Sequence, residues 1–295
     1  MKPVKSIITL KKDGFKTIMA YYDPKEYDKK NINDFYIHGL SDDTYQLRMP
    51  LPPHRQANHS IILVTKGSII ACSGLDDYTV KENSLIAVPA GQVTNLSFMS
   101  ADVEGFYLHF SPNYLSVTDM DFSDWLLKPV IGFDENESIH LEILLKRMQH
   151  LNEVESNTEI IKTYLATFLA ETKQSIDFKM RINFPAHERI ALNFKRLLNI
   201  SVTKHHSISF YADELNITAN HLNKSVRLAL GRSASSLIDE MLILEAKILM
   251  QKSDMAISEI AYGIGFEDIS YFGRFFKKHV GSAPTEYRKW IELSE

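Results

Sequence analysis

At 295 residues, with 44% hydrophobic and 24% charged residues, the chain can hold two domains, each with its own core, and its composition excludes a disordered or fibrous protein. A formal net charge of -4 is not that of a uniformly basic nucleic-acid binder. The charge is unevenly divided: Pro185 to Glu295 carries 14 Lys and Arg against 13 Asp and Glu, or +1, leaving -5 for the rest. Any contact with nucleic acid therefore has to come from charges placed on particular faces.

The single cysteine, Cys72, cannot form an intrachain disulfide, which fits a reducing compartment, and it reads as a small buried apolar residue. The opening MKPVKSIITLKKDGF has an apolar run too short for a signal-peptide core, and no segment reaches membrane-spanning length. A cytoplasmic protein is expected.

Up to about residue 35 the chain is mixed, with Lys, Asp and Asn turns and an aromatic group of Phe15, Tyr21, Tyr22 and Tyr27. From Phe35 to Phe110 it becomes a series of short β-prone runs, FYIHG, TYQLRM, SIILVTKG, SIIACSG, DYTV, SLIAVPAG, TNLSFM and GFYLHF. Turn residues separate them at Lys66-Gly67, Gly74 with Asp76-Asp77, Glu82-Asn83 and Pro89-Ala90-Gly91, a pattern that predicts a β-sandwich or small barrel.

The period becomes helical from about Ser138. Leu141, Leu144, Leu145, Met148 and Leu151 form one stripe; Ile160, Ile161, Tyr164, Leu165, Phe168 and Leu169 form a second. The short NEVESN between them predicts antiparallel neighbours, whose stripes either form a dimer interface or pack on their own β-structure. Lys173 to Glu188 loses the period and contains Pro185, and reads as a linker.

Two stretches then share one pattern. In Ser209 to Gly231, Leu215, Ile217, Leu222 and Val226 hold apolar positions. In Ser253 to Trp290, Ile257, Ile260, Ala261 and Ile264 precede Gly265. Asp268 is placed to cap a second helix with Phe272 and Phe276 on its inner face, and Gly281 ends it. SASSLIDEMLILEAKILMQKS joins them as a long amphipathic helix, with Leu237, Met241, Leu244 and Ile248 on one stripe. Helix, tight turn and helix with a basic outer face is the pattern of a DNA-binding helix-turn-helix.

These motifs resemble the AraC/XylS family of bacterial transcription regulators. The stretch ISEIAYGIGFEDISYFGRFFKKHVGSAPTEYR carries the family's pattern at Ile257, Glu259, Ile260, Ala261, Gly265, Phe266, Asp268, Ser270, Phe272, Arg274, Phe276, Lys277, Lys278, Gly281, Pro284, Tyr287 and Arg288, with EAKILM in the helix before it. The likeness is strong over about residues 187 to 290 and loose before them. The sequence departs from the family at Val226, where an aromatic is usual, at Thr218, where Ser is, and at Met241 and Leu242, near which an arginine is common.

The resemblance implies an α+β chain with a cupin-like β-barrel and helical pair over 1–175 for sensing and dimerisation, a linker over 176–188, and two helix-turn-helix units joined by a long helix over 189–295. It implies a regulator that binds double-stranded promoter DNA as a homodimer, with a small-molecule effector at the N-terminal domain and RNA polymerase as a further partner. In the second unit, Ile269, Ser270, Gly273 and Arg274 would face the groove, with Arg274 shaped to pair bidentately with guanine and Ile269 to touch a thymine methyl; Lys277 and Lys278 would meet phosphates. In the first unit the matching residues are Asn220, Asn223 and Lys224, with Arg227 toward the backbone. Outside such a motif, RFFKK is simply a solvated helix face, and Asn223 reads equally well as a solvated helix residue.

Phe266, Phe272, Phe276, Leu222 and Ile260 are expected in the core. His187, His205 and His206, without partners at metal-ligand spacing, read as surface residues. Tyr36, Tyr45, Tyr107 and His109 are candidates to line an effector pocket, although alternation does not say which strand face lies inside. Two alternatives remain: a barrel that only oligomerises, or a cupin metal enzyme fused to a DNA-binding tail. Against the second, His54 and His59 fall on opposite strand faces unless a bulge intervenes, and PAGQVT places Thr94 where a cupin would have a histidine. No metal or cofactor is expected.

Overall fold

The structure, a computed structural model, describes residues 34–41, 49–51, 53–115, 122–154, 158–179, 185–252 and 255–293. The N-terminal aromatic group and Tyr45 lie outside these residues. The chain is α+β and divides into two compact units, one chiefly of residues 55–183 and the other chiefly of residues 184–295. Among the described residues no helix is long and apolar enough to cross a membrane.

The first unit is built on β1 (Phe35–Gly39), β2 (His54–Arg55), β3 (His59–Lys66), β4 (Ser68–Ser73), β5 (Asp76–Lys81), β6 (Ser84–Val88), β7 (Val93–Met99), β8 (Glu104–Phe110) and β9 (Val130–Gly132). These form two sheets not closed into one barrel, in the orders β1-β8-β3-β6-β9 and β2-β7-β4-β5. The predicted turns fall between strands, but of them only Gly74 closes a hairpin, β4 with β5; Asn83, at a positive φ of 56°, carries the chain from β5 in one sheet to β6 in the other. The short β2 and β9 carry too little pattern to be read from sequence.

Alternation gives the five-stranded sheet two different faces. Phe35, Ile37, Ile61, Leu63, Leu85, Phe106, Leu108 and Phe110 point to one side, where α1 (Glu135–Val154) and α2 (Thr158–Lys179) cover them. Leu141, Leu145, Met148 and Leu151 of α1 and Ile161, Leu165, Phe168 and Leu169 of α2 complete that core. Both helical stripes are thus used on their own sheet, while Ile139 and Ile143 of α1 stay exposed. α1 starts at a reciprocal cap, with Asp134 N donating to Glu137 and Glu137 N to Asp134, each at 2.8 Å.

The other face carries a buried polar and aromatic cluster. Tyr36 pairs with His109 and His38 with Tyr107 across β1 and β8. Tyr107 Oη lies 3.2 Å from His109 Nδ1 and accepts from Gln56, which follows β2, at 3.3 Å. Tyr36, Tyr107 and His109 therefore share one face, the one turned toward the second sheet. His59 lies on the opposite face, its ring 4.2 Å from that of Phe122 and its Nδ1 accepting from Ala90 N at 3.2 Å. Thr94 Oγ1 donates to Cys72 O at 2.8 Å, and Cys72 is buried. Among the described residues no three His, Cys, Asp or Glu side chains gather to hold a metal ion.

The second unit is all helical: α3 (Ala186–Ser201), α4 (Ile208–Glu214), α5 (Ala219–Leu230), α6 (Ala234–Lys252), α7 (Ile257–Gly263), α8 (Ile269–Val280) and α9 (Pro284–Leu293). The polar stretch read as a linker is shorter than expected. α2 continues through Lys179 and α3 starts at Ala186, because lysine and glutamine favour a helix even where the apolar period lapses.

Burial, and second the charge of His109, pushes the His38 imidazole down from 6.5 to about 3, and burial pushes His59 down to about 4. In the unfolded chain both titrate near 6.5, so at lower pH the unfolded state binds more protons. Their contribution to stability is complete above about pH 6.5 and is lost as pH falls toward the folded values. Thermal unfolding midpoints are expected to drop between about pH 7 and about pH 5, with a shallower drop in His38→Gln; equal slopes for the two proteins would contradict this.

Candidate nucleic-acid interface

Each half of the second unit is a helix, a left-handed turn and a second helix, and the two turns are built alike. In the first, Leu215 N donates to Tyr211 O, Asn216 N to Asp213 O and Ile217 N to Ala212 O. In the second, Ile264 N donates to Ile260 O, Gly265 N to Tyr262 O and Phe266 N to Ala261 O. These bonds satisfy carbonyls that a helix end leaves orphaned. The turn needs one positive φ, supplied by Asn216 at 53° and Gly265 at 89°.

Both second helices are capped at each end. Thr218 accepts from His221 N at 3.2 Å at the start of α5, and Asp268 accepts from Tyr271 N at 2.6 Å at the start of α8. Gly231 and Gly281, both left-handed, close the C-terminal ends. Thr218 thus does the capping work of the serine usual in the family's pattern.

The inner faces are fully buried: Leu222 and Val226 in α5, Phe272 and Phe276 in α8, with Phe266 and Ile260 beside the latter. Phe266 meets Phe272 at 5.2 Å and Phe276 meets Tyr287 of α9 at 5.5 Å. In the first unit the aromatic bulk comes from Phe194 and Tyr211, whose rings meet edge to face at 5.4 Å, so Val226 packs without an aromatic of its own. Met241 and Leu242 of α6 are buried, which accounts for apolar residues there.

Opposite this core, Ser270, Arg274, Lys277 and Lys278 of α8 are all exposed. Ile269 is 41% exposed, and Gly273 is half-buried on the flank of the same face. Lys277 and Lys278 also occupy the last turn, where cations favour the helix dipole irrespective of any ligand. Sequence reasoning missed Tyr271. Its ring is exposed, and the Arg274 guanidinium lies over it at 6.0 Å, a cation–π contact that limits the arginine's freedom.

In α5, Asn220, Lys224 and Arg227 are exposed together. Asn223 is half-buried, and its Oδ1 accepts from Ser235 N at 3.4 Å, so its side chain turns toward the start of α6. Ser233 caps α6 by accepting from Ser236 N at 3.1 Å, and Glu240 holds both Arg232, at 2.6 Å, and Ser236, at 2.7 Å. The histidines divide. The His205 ring stacks on Phe210 at 3.7 Å, whereas His206 is half-buried and its Nε2 donates to Ile264 O at 2.8 Å. His206 is thus part of the packing rather than a free surface residue, and nothing local in the sequence marks a contact made 58 residues away.

The model of a helix-turn-helix domain family matches residues 211–289, spanning both units. The arabinose operon regulatory protein of Salmonella typhimurium is 22% identical over 240 residues, covering 78% of this chain and 83% of that protein. Its namesake in Escherichia coli is 33% identical over 85 residues, 29% of either chain. The chain is a DNA-binding transcription regulator, similar to those of the AraC/XylS family. Among solved structures, apo ToxT from Vibrio cholerae aligns with 89% of this chain and 99% of its own at 18% identity, with a TM-score of 0.42. The part shared with the E. coli relative is short.

The two left-handed glycines of the second helix-turn-helix, Gly265 and Gly281, separate backbone strain from crowding. A Cβ on Gly265 would sit 2.4 Å from Thr203 O, whereas at Gly281 nothing lies within 4 Å. Gly281→Ala is expected to cost about 1 kcal/mol through its φ alone, and Gly265→Ala about 2 kcal/mol or more. Chemical denaturation checks this, and equal losses at the two positions would contradict the crowding at Gly265.

Proposed function

We propose that the chain reads promoter DNA with α5 and α8 in successive major grooves, roughly 34 Å apart along the duplex. The observation that carries this reading is the outer face of α8, where Arg274 stands over Tyr271 among Ser270, Lys277 and Lys278, opposite a fully buried aromatic face. Arg274 pairs bidentately with a guanine edge, Ile269 meets a thymine methyl, Gly273 lets the backbone approach, and Lys277 and Lys278 bind phosphates. In the first unit Asn220 and Lys224 face the bases and Arg227 the backbone, while Asn223 organises the start of α6.

The β-sheet unit is the proposed effector-responsive part, with its two sheets arranged in a cupin-like way. Tyr36, His38, Tyr107 and His109 gather hydrogen-bonding groups on one sheet face, and burial keeps the His38 imidazole from taking up a proton, which suits a small uncharged polar molecule better than an anion. The effector acts by its differential affinity for two states of the regulator, shifting dimerisation or the engagement of DNA. The exposed Ile139 and Ile143, four apart on α1, are the proposed contact with a second copy, and RNA polymerase is the proposed downstream partner. A thermal shift with uncharged polar metabolites supports the effector reading. No shift across such a panel leaves the β-unit as an oligomerisation module.

Arg274→Ala is expected to weaken specific binding by about 1–3 kcal/mol and to relax the preference at one base pair. Lys277→Ala is expected to weaken all sequences alike and to reduce the slope of log affinity against log salt by about 1. Binding to a library of duplexes at several salt concentrations separates the two effects. An unchanged sequence profile in Arg274→Ala would remove that residue from base reading.

A further inference from the structure

The two helix-turn-helix units are joined twice. The first joint is α6. The second is the loop of residues 202–207 between α3 and α4, which docks on the turn of the second unit. There His206 Nε2 donates to Ile264 O at 2.8 Å, and its ring lies 4.7 Å from that of Phe266. Thr203 O approaches Gly265 so closely that a Cβ there would stand 2.4 Å away. From the other side the loop is held by the first unit: Tyr211 Oη donates to His205 O at 2.8 Å, and the His205 ring lies flat on Phe210 at 3.7 Å.

The chemistry explains why a histidine stands there. Ile264 follows the end of α7 and is fully buried, so its carbonyl has no next helical turn to accept from. A buried acceptor without a donor is costly, and His206 brings an N–H to it. The same ring packs on Phe266, which also meets Phe272 of α8 at 5.2 Å. The contact therefore runs from the loop, through the turn, to the helix that carries Arg274.

We propose that His206 is a positioning residue that fixes α8 relative to α5, so that the two helices accept DNA at one spacing. This rests on the reading that both units engage DNA. A single helical joint leaves bending and twisting freedom at its ends; a second attachment removes it before DNA arrives. Two linked sites bound by a stiff connection have a high effective concentration at the matching span and a low one elsewhere. Loosening the loop lowers the first and raises the second, without touching the residues that face DNA.

The test uses the full chain and a duplex that the unaltered protein selects from a random pool, together with versions carrying one or two base pairs inserted between the halves and a version keeping one half only. The unaltered protein is expected to lose about tenfold or more in affinity on insertion, and His206→Ala less than about threefold, with equal affinity for the single half. His206→Gln, which keeps a donor at similar reach, is expected to restore the dependence on spacing. Thermal unfolding of each variant reports whether it folds, and His206→Asn, with its shorter reach, serves if the alanine variant does not. A folded His206→Ala or His206→Asn with an undiminished spacing penalty overturns the proposal. Indifference of the unaltered protein itself to insertion, or to loss of one half, overturns the two-helix reading and the clamp with it, an outcome visible before any variant is made.

Discussion

The chain within each helix-turn-helix unit has to end one helix and start the next in four or five residues, and the aim of the second helix follows from how it does so. The solution is a left-handed residue that lets the following amide reach back to a carbonyl five residues earlier: Ile217 to Ala212, and Phe266 to Ala261. Corresponding bonds are 49 residues apart before the turn, whereas the caps Thr218 and Asp268 are 50 apart, because the second turn holds one more residue. Asparagine tolerates the left-handed conformation, so Asn216 suffices in the first turn. In the second, the approach of Thr203 O leaves no room for a side chain, and glycine is required.

With the turn fixed, burial decides which side of each helix faces outward. Phe272 and Phe276 are fully buried, which leaves Ser270, Tyr271, Arg274, Lys277 and Lys278 on the far side of α8. Net charge has no part in this, and a chain of formal charge -4 still presents a local basic face. Placement also separates residues of similar character. Arg274 is held over a ring on the outer face, while Arg232 is occupied by Glu240 at 2.6 Å.

Much of this was legible in the sequence because it is local. The apolar period, the caps Thr218 and Asp268 and the terminal glycines all act within one helical turn, and the β-runs of the first unit announce themselves by alternation and turn residues. What sequence could not supply are contacts between distant segments. His206 looks like any surface histidine until Ile264, 58 residues on, is folded against it. Asn223 falls in the pattern of the helix side proposed to face bases, but Ser235 N draws its side chain toward α6. The stripes of α1 and α2 fit a partner subunit or their own sheet equally well, since an apolar face does not name what covers it. The extension of α2 to Lys179 escaped because a polar helix shows no period.

The five-stranded sheet of the first unit raises a different question, since one face is mainly apolar while the other sets buried polar groups beside Val64, Ile86 and Val88. The side under α1 and α2 is made of Phe, Ile and Leu, as stability alone demands. The other side buries Tyr36, His38 and His109 and half-buries Tyr107, where Val and Ile would remove more apolar area at no cost in polar desolvation. Phenol-imidazole and amide-phenol contacts at 3.2 and 3.3 Å are among the interactions that offset that cost. Polar groups retained in an interior where apolar ones would pack as well are better explained by what they can bind than by what they stabilise. That argument favours the face turned toward the second sheet as the proposed site of a small polar effector.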